Sequence, residues 1–530
     1  MEDILNSIIK FFTVTLGNLN WGFLSEQFGN LDLRLLLEQL VYDEKSPLIF
    51  SSGLFMCMFA VFIVIYTMLK KKSLARTLFV VAFSYYFYYK SSGFYFFLIA
   101  IVTCSDYVIA DVMAHMRSRA GRKCMVALSL IIDLGLLGYF KYTNFFGQLW
   151  SDLSGAPWHN LEIFLPVGIS FFTFQSLSYT IDVYRRKIQP VDNLLDYAFY
   201  VSFFPQLVAG PIVRASDFIP QMYRPIKVTR EMLGLGFWFV ITGLFKKAVI
   251  SDYISVNFVE RVFDTPMQFS GLENLLGAYG YGLQIYCDFS GYSDMAIGLA
   301  LLMGFRFNIN FNNPYKAVSI TDFWHRWHIS LSTWLRDYLY ISLGGNRKGR
   351  LRQYLNLFVT MLLGGLWHGA SLNFVMWGAL HGIALVVHKM WMGITAGAKW
   401  VNSRWWRALM VLVTFHFVIF AWLLFRNADV TCKGLFLAGD WGNLGVMLTQ
   451  IFTNFHPELF VDVLTSYWHV FSLIVLGYVL HFVPDRFSHR CKRAFVRMPV
   501  IVYALVLIVV IVAIIQVKTS EIQPFIYFQF

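Results

Sequence analysis

The sequence predicts an all-α protein that crosses a membrane many times, and three observations support that prediction. Of the 530 residues, 57% are hydrophobic and only 14% are charged, whereas soluble domains carry about 25% charged residues. The mean hydropathy is +0.57, and apolar runs of about 20 residues, long enough to cross a bilayer as helices, recur along the chain. Short basic clusters separate these runs, and no stretch is long and polar enough for a soluble domain.

The apolar runs predict about eleven or twelve crossings. Their bounds are 47–69, 77–90, 92–114, 124–141, 162–183, 231–250, 272–304, 354–370, 372–392, 405–425, 467–484 and 499–517. Between them, residues 194–225 carry Pro205, Gly210 and Pro211 within an apolar run, which predicts a re-entrant or broken helix. We expect residues 1–46 to form an N-terminal interfacial extension and residues 47–530 to form the membrane domain.

The basic residues predict the orientation of the chain. The net charge of +12 is compatible with nucleic acid binding, but the bases lie in short clusters between apolar runs, which is the pattern of cytoplasmic loops. Clusters within 70–76, 117–123 and 185–187 follow the first, third and fifth predicted spans. We therefore expect the N-terminus outside and no nucleic acid partner. The N-terminus lacks a basic region and a cleavage site, so no removable signal peptide is expected.

Three histidines lie within one aromatic-rich stretch, residues 322–368. His325 and His328 are three residues apart, so they would share one face of a helix. An aromatic belt at the membrane interface is one explanation for this pair. A zinc site is a weaker one, because no cysteine or carboxylate trio completes it. The six cysteines have no paired spacing, so we expect neither a disulfide framework nor a metal site.

His368 ends an apolar run and precedes Gly369, Ala370 and Ser371, small residues that would let backbone or substrate approach closely. A histidine with an ordinary pKa of about 6.5 suits a general base that takes a proton from a hydroxyl. A satisfied core histidine is the alternative. Asn373 lies nearby in sequence.

Two further polar groups fall in or beside the predicted spans. Asp288 and Ser290 form a polar notch that could bind an ion or polarise a substrate, although holding helices together is the favoured role. Four bases precede the predicted span 354–370, which contains His368: Arg347, Lys348, Arg350 and Arg352. They fit a cytoplasmic loop, which we favour, or a docking site for the phosphates of coenzyme A or the acidic face of a carrier protein.

Four segments, 204–211, 286–292, 322–340 and 366–370, resemble motifs of the membrane-bound O-acyltransferase (MBOAT) family. The nearest branch is the bacterial alginate O-acetylase membrane subunit, which is related to the D-alanyl transfer protein of teichoic acids. This resemblance implies a ring of helices around a central tunnel in the inner membrane. It also implies that His368 is catalytic, with His328 as its companion and His325 as a third member.

The resemblance further implies an acyl donor on the cytosolic side, such as acetyl-CoA or an acylated carrier protein, with no permanently bound cofactor. The acceptor would be a hydroxyl of an extracytoplasmic polymer or of a secreted partner, for example an SGNH-type acetyltransferase or a polysaccharide assembly protein. Trp327 and Trp367 would wall the site. D-alanyl transfer, a transporter and a scaffold without transfer chemistry remain the alternatives.

Overall fold

A computed structural model describes residues 38–44, 46–208, 210–427 and 441–517. Within those ranges the chain folds into helices joined by turns and loops, and no β-strand occurs there. The predicted all-α class is therefore confirmed. Most of the predicted N-terminal extension, residues 1–37, lies outside the described residues, as does the C-terminal tail from residue 518.

Between Gly53 and Met222, the described residues form nine α-helices. They are α1 Gly53–Met68, α2 Ser73–Ser92, α3 Phe96–His115, α4 Arg119–Leu137, α5 Thr143–Ser154, α6 Ile169–Tyr184, α7 Leu194–Ser202, α8 Phe204–Leu207 and α9 Ala215–Met222. Side-chain caps begin several of them: Ser52 accepts from the backbone of Phe55, and Ser118 caps α4 in the same way. A π-helical turn, Gly138–Tyr142, joins α4 to α5.

The predicted break in residues 194–225 is confirmed. Three short helices, α7 to α9, replace one span, and buried side chains bind the backbone groups that the breaks expose. The Ser84 hydroxyl accepts from the backbone N–H of Phe204 at 3.2 Å, and the Gln206 amide donates to the carbonyl of Tyr200 at 2.6 Å. Irregular backbone is tolerated here because protein surrounds it.

The second part of the chain begins with α10 Arg230–Leu244, which continues to Asp264 through two π-helical turns, Phe245–Ser251 and Ser255–Val259. The remaining helices are α11 Gly271–Leu302, α12 Ile320–Arg326, α13 Ile329–Trp334, α14 Arg350–His368, α15 Leu372–Ile394, α16 Arg404–Arg426, α17 Gly442–Thr453, α18 Phe460–Ser466, α19 Trp468–Phe482, α20 Asp485–Arg497 and α21 Val500–Val517. A further π-helical turn, Leu335–Tyr340, extends α13.

Two helix pairs pack at glycines, and these contacts build the frame of the site. A Cβ at Gly243 of α10 would lie 2.5 Å from the carbonyl oxygen of Gly291 in α11. Likewise, a Cβ at Gly365 of α14 would overlap the carbonyl oxygen of Phe374 in α15. Such small residues let helices in a membrane approach closely. The pair α14 and α15 therefore forms a tight hairpin with His368 next to its turn.

Six helical segments of the described chain are long and apolar enough to cross a membrane, and two bent helix pairs would bring the number to eight. This number is smaller than the crossings predicted from sequence. Some predicted spans fall on helices that are shorter or carry charges: α6 has 16 residues, and α14 begins with Arg350 and Arg352. The count of eleven or twelve stays a prediction.

Candidate active site

His328 lies in the sharp turn between α12 and α13. Helix α12 ends at Arg326, Trp327 is extended, and His328 adopts left-handed backbone with φ of +43°. The expectation that His325 and His328 share a helix face is therefore wrong, and His325 is exposed while His328 is fully buried. Left-handed backbone costs a non-glycine residue about 1–2 kcal/mol, so surrounding contacts must hold this turn.

Asn310 supplies those contacts. Its backbone carbonyl accepts from the N–H of Ile329 at 2.9 Å, and its Oδ1 accepts from the N–H of Ser330 at 3.1 Å. Its Nδ2 donates to the Ser293 hydroxyl of α11 at 3.1 Å. A backbone N–H can only donate, so the Ser330 contact identifies the oxygen of the Asn310 amide.

The same oxygen fixes the tautomer of His328. The Nδ1 of His328 lies 3.2 Å from Oδ1 of Asn310, and because that oxygen only accepts, Nδ1 must carry the proton. In the neutral imidazole, Nε2 is then the atom with the free lone pair. Nε2 is buried and has no hydrogen-bond partner among the described residues.

His368 is the last residue of α14, and side chains from the π-helical turn Gly138–Tyr142 hold this helix end. Lys141 donates to the carbonyls of Trp367 and His368, each at 2.9 Å, and Tyr142 donates to the carbonyl of Leu366 at 2.9 Å. The last carbonyls of a helix have no partner within it. Lys141 and Tyr142 therefore bind carbonyls that have no hydrogen-bond partner within α14.

The rings of His328 and His368 are close neighbours, with centroids 6.4 Å apart. Trp367 packs against both, at 6.2 Å from His328 and 5.1 Å from His368. Phe289 meets the His328 ring edge to face at 4.6 Å, and Trp377 meets the His368 ring at 5.2 Å. Both histidines thus lie in a water-poor aromatic setting, where electrostatic interactions are strong.

A cavity of about 30 Å³ adjoins His368, which is room for about one water molecule. Its lining includes Lys141, Trp367 and His368, together with the loop before α6 and the first residues of that helix, Gly168 to Phe171. Lys141 also lies 3.5 Å from the Ser170 hydroxyl. The cavity therefore brings together one imidazole, one ammonium group and the N-terminal end of a helix, which carries partial positive charge.

The expectation that Gly369 leaves space for a substrate is wrong. A Cβ at Gly369 would overlap the ring of Phe374 from the first turn of α15. The small residue therefore admits a neighbouring side chain of the same hairpin. The cavity at His368 is lined by Lys141, and Gly369 is not among its lining residues.

Other predicted site residues lie around this centre with different roles. Asp288 is 2.6 Å from the ammonium of Lys247, and both are buried; its neighbour Phe289 is the residue of that motif that contacts His328. Ser290 and Asn373 are buried, and Trp327 packs against Trp422 at 4.8 Å. The structure therefore places Trp367 directly beside the histidines and pairs Asp288 with Lys247.

The four bases of the predicted docking turn lie at the opposite end of α14. Arg347, Lys348, Arg350 and Arg352 are all exposed. Helix α14 has 19 residues, so its two ends lie about 27 Å apart at 1.5 Å per residue. These bases do not touch the histidine cavity.

A second basic cluster surrounds the ring of Tyr338, and sequence reasoning, which treated residues 185–187 only as a cytoplasmic loop, missed this assembly. The guanidinium carbons of Arg185 and Arg214 each lie 5.4 Å from its centre, and the Lys187 ammonium lies 5.8 Å from it. Arg214 also pairs with Asp337 at 2.6 Å. Although burial raises the pKa of the Asp337 carboxyl, hydrogen bonds from neighbouring arginines outweigh it and lower that pKa. We call this set of residues the Tyr338 cluster.

Sequence reasoning also missed Lys141 and Asn310. A lysine within an apolar run was a signal for Lys141, because such a charge needs a partner. Asn310 had no comparable signal. Among the residues that the structure describes, no group of three or more His, Cys, Asp or Glu side chains is placed to hold a metal ion.

Comparison with known proteins identifies the family. Residues 54–428 match the family described as MBOAT, membrane-bound O-acyltransferase family. The chain belongs to this family. The match includes His328, His368 and Lys141, and it confirms the resemblance of the four sequence motifs. The protein is therefore a multi-pass membrane O-acyltransferase.

Three relatives place the chain within the family. A protein of Pseudomonas aeruginosa named "Probable alginate O-acetylase AlgI" is 41% identical over 406 residues, which cover 74% of this chain and 76% of the relative. A protein of the same name from Pseudomonas putida is 37% identical over 511 residues, 91% of this chain and 100% of the relative. The peptidoglycan O-acetyltransferase of Helicobacter pylori is 36% identical over 417 residues, 72% of this chain and 78% of the relative.

Proposed function

We propose that this enzyme transfers an acetyl group from a cytosolic thioester to a hydroxyl of an extracytoplasmic polysaccharide or of a secreted partner. The observation that supports it most directly is the pair of neighbouring buried histidines, His328 and His368, of which His368 lines a cavity together with Lys141. The names of the three relatives favour acetyl over D-alanyl. A transporter or a scaffold would not need this arrangement.

His368 is the proposed general base because it lines the cavity. In the reaction, the acceptor oxygen attacks the thioester carbonyl while His368 takes its proton. The tetrahedral intermediate then collapses, the carbon–sulfur bond breaks, and the proton on His368 passes to the leaving thiolate. General-base help of this kind contributes about 10²–10⁴-fold to the rate.

Lys141 and the N-terminal end of α6 supply positive charge on the same cavity. Negative charge develops on the thioester oxygen as the tetrahedral intermediate forms. Donors and dipoles that are already in place stabilise such charge without reorganising. We assign this electrostatic role to Lys141, in addition to its contacts with the end of α14.

The tautomer of His328 limits the hydrogen bonds that its ring can make. With the proton on Nδ1, the neutral ring offers only an acceptor at Nε2. His328 in that form cannot donate a hydrogen bond to the thioester carbonyl. We propose instead that Nε2 accepts a hydrogen bond from the acceptor hydroxyl or from the protonated His368 and so orients the reacting groups.

For the donor, we propose the Tyr338 cluster as the docking site of its phosphate groups. The cluster follows the His328 turn by one short helix and contains partly buried arginines. The exposed bases 347–352 fit better as a cytoplasmic loop signal. Replacing Arg185 and Lys187 by glutamine should raise the KM for acetyl-CoA, whereas replacing Arg347 and Lys348 should not. The reverse result would favour the exposed loop.

The orientation of the chain is part of the proposal. We place the protein in the inner membrane with its N-terminus outside, because basic clusters follow alternate predicted crossings. Cysteines introduced at Lys71, Arg119 and Arg490 should react only with reagents that reach the cytosol. Labelling of any one of them by an impermeant reagent added outside would overturn this orientation.

The decisive test of transfer chemistry is His368→Ala. The variant should insert and remain stable but lose acetyl transfer by at least about a hundredfold, measured as glycan acetylation by mass spectrometry in a complemented deletion strain. His416→Ala is the matched control, because His416 is exposed and its Nδ1 bonds to the Leu412 carbonyl of its own helix. A stable His368→Ala variant with substantial activity would refute the mechanism.

A further inference from the structure

A groove of about 660 Å³ lies between helices α1, α10, α11 and α21, and it shares no lining residue with the histidine cavity. Most of its walls are apolar, including Phe59, Ile63, Phe237, Leu299 and Ile511. The reaction proposed above does not use this groove. An apolar groove of this size on a membrane protein is suited to hydrocarbon chains.

The length of the groove matches one leaflet of a bilayer. Along α1 and the helical turn that follows it, the lining runs from Met56 to Lys70, which is about 21 Å at 1.5 Å per residue. Half of a bilayer, including its headgroup region, measures about 20–22 Å. A molecule that fills the groove would therefore extend from the headgroup layer to the middle of the membrane.

Only one end of the groove is charged. Lys70 and Arg76 line it there, and Arg76 donates to the backbone carbonyl of Lys70 at 3.4 Å, which holds both bases at the same rim. None of the described residues that line the groove is acidic. Both bases belong to the first predicted cytoplasmic cluster. The groove thus combines a cationic end with an apolar interior.

We propose that this groove binds one anionic phospholipid of the cytoplasmic leaflet. Its phosphate would lie between Lys70 and Arg76, and its acyl chains would follow α1 toward the membrane centre. A zwitterionic phospholipid has the same chains but carries a cation that the basic rim repels. A free phosphate ion would gain nothing from the apolar walls. Charge and length together therefore favour an anionic lipid.

Native mass spectrometry of the full-length protein in detergent, titrated with phosphatidylglycerol or phosphatidylcholine, tests this proposal. We expect one phosphatidylglycerol to bind in preference to phosphatidylcholine. Each base near a membrane surface contributes about fivefold to the affinity for an anionic lipid, so the double variant Lys70→Gln, Arg76→Gln should bind about thirtyfold more weakly. Equal binding of the two lipids would overturn the proposal.

The neighbouring bases provide a control of equal charge. Lys71 and Lys72 are exposed and do not line the groove, so Lys71→Gln, Lys72→Gln should keep nearly normal binding. An equal loss in both double variants would show general surface attraction and refute the site. Ala60→Trp fills the groove but keeps its bases; the folded variant, checked by size-exclusion chromatography, should lose phosphatidylglycerol binding. Unchanged binding would contradict the proposed position of the acyl chains.

Discussion

Replacing Lys141 by methionine tests whether a charged side chain, distant in sequence, fixes the position of the end of α14. The change removes the ammonium and keeps most of the apolar stem. Two hydrogen bonds of 2.9 Å to the carbonyls of Trp367 and His368 are lost. Hydrogen bonds to charged groups contribute about 1.5–3 kcal/mol each, so the end of α14 loses several kcal/mol of local support.

Lys141→Met should slow catalysis for two reasons: His368 can be displaced, and the positive charge of Lys141 is lost. A displacement of about 1 Å in a reacting group can lower a rate by about 10²-fold, and losing a preorganised charge at the developing oxyanion costs a similar factor. We therefore expect the kcat of Lys141→Met to fall by at least about a hundredfold. The KM for acetyl-CoA should change little, because Lys141 is not part of the Tyr338 cluster.

Two variants distinguish the proposed effect of Lys141 on catalysis from a general loss of protein stability. Lys141→Arg keeps a cation and should recover part of the activity. Tyr142→Phe removes the neutral hydrogen bond to Leu366 on the same helix end and should lower activity by less than about tenfold, since a neutral hydrogen bond contributes about 1 kcal/mol. The assay is acetyl transfer from acetyl-CoA in proteoliposomes, with thermal stability measured in parallel. A stable Lys141→Met protein within threefold of wild-type kcat would refute the argument.

Three further variants test the surrounding structure. Asn310→Ala removes the side-chain contacts of the histidine turn and should lower acetyl transfer by about a hundredfold. Asn310→Asp, which keeps the acceptor oxygen, should retain more activity, and equal losses would contradict the tautomer assignment. Lys247→Met removes the ammonium that both Asp288 and Asp252 contact and should cost about 3–5 kcal/mol of stability, of which the added change Asp288→Leu should restore a part, as thermal unfolding will show. Gly365→Ala should push α14 away from α15 and reduce both stability and activity. In Gly364→Ala the added methyl group meets only one flexible leucine methyl group at 3.1 Å, so its effect on stability and activity should be small. Similar losses in the two variants would argue against the tight hairpin.

The helices of this protein follow from local sequence. Residues 372–392 were predicted as a span and form α15, Leu372–Ile394, and residues 499–517 coincide closely with α21, Val500–Val517. Apolar composition and the basic residues that flank a span are properties of neighbouring residues. The break in residues 194–225 could also be predicted from the sequence, because proline and glycine interrupt a helix locally.

Only part of the candidate site could be predicted from the sequence. The Trp-His-Gly sequence pointed to His368, and the two tryptophan-flanked histidines pointed to the region of His328. Their spacing suggested one helical face, yet the chain turns between them, because Asn310, 18 residues before His328, binds that turn and its ring. A hydrogen bond from outside the segment overrode the local periodicity.

Only the tertiary structure decided what surrounds the two histidines. Lys141 reaches the carbonyl of His368 across 227 residues of sequence, and the space at Gly369 is filled by a side chain from the next helix. Such contacts depend on how helices pack against one another, and the hydrophobic pattern of a membrane span does not specify its neighbours, because lipid and protein offer equally apolar surroundings. The sequence by itself therefore determined the helices and named the histidines, while packing determined which polar groups meet them.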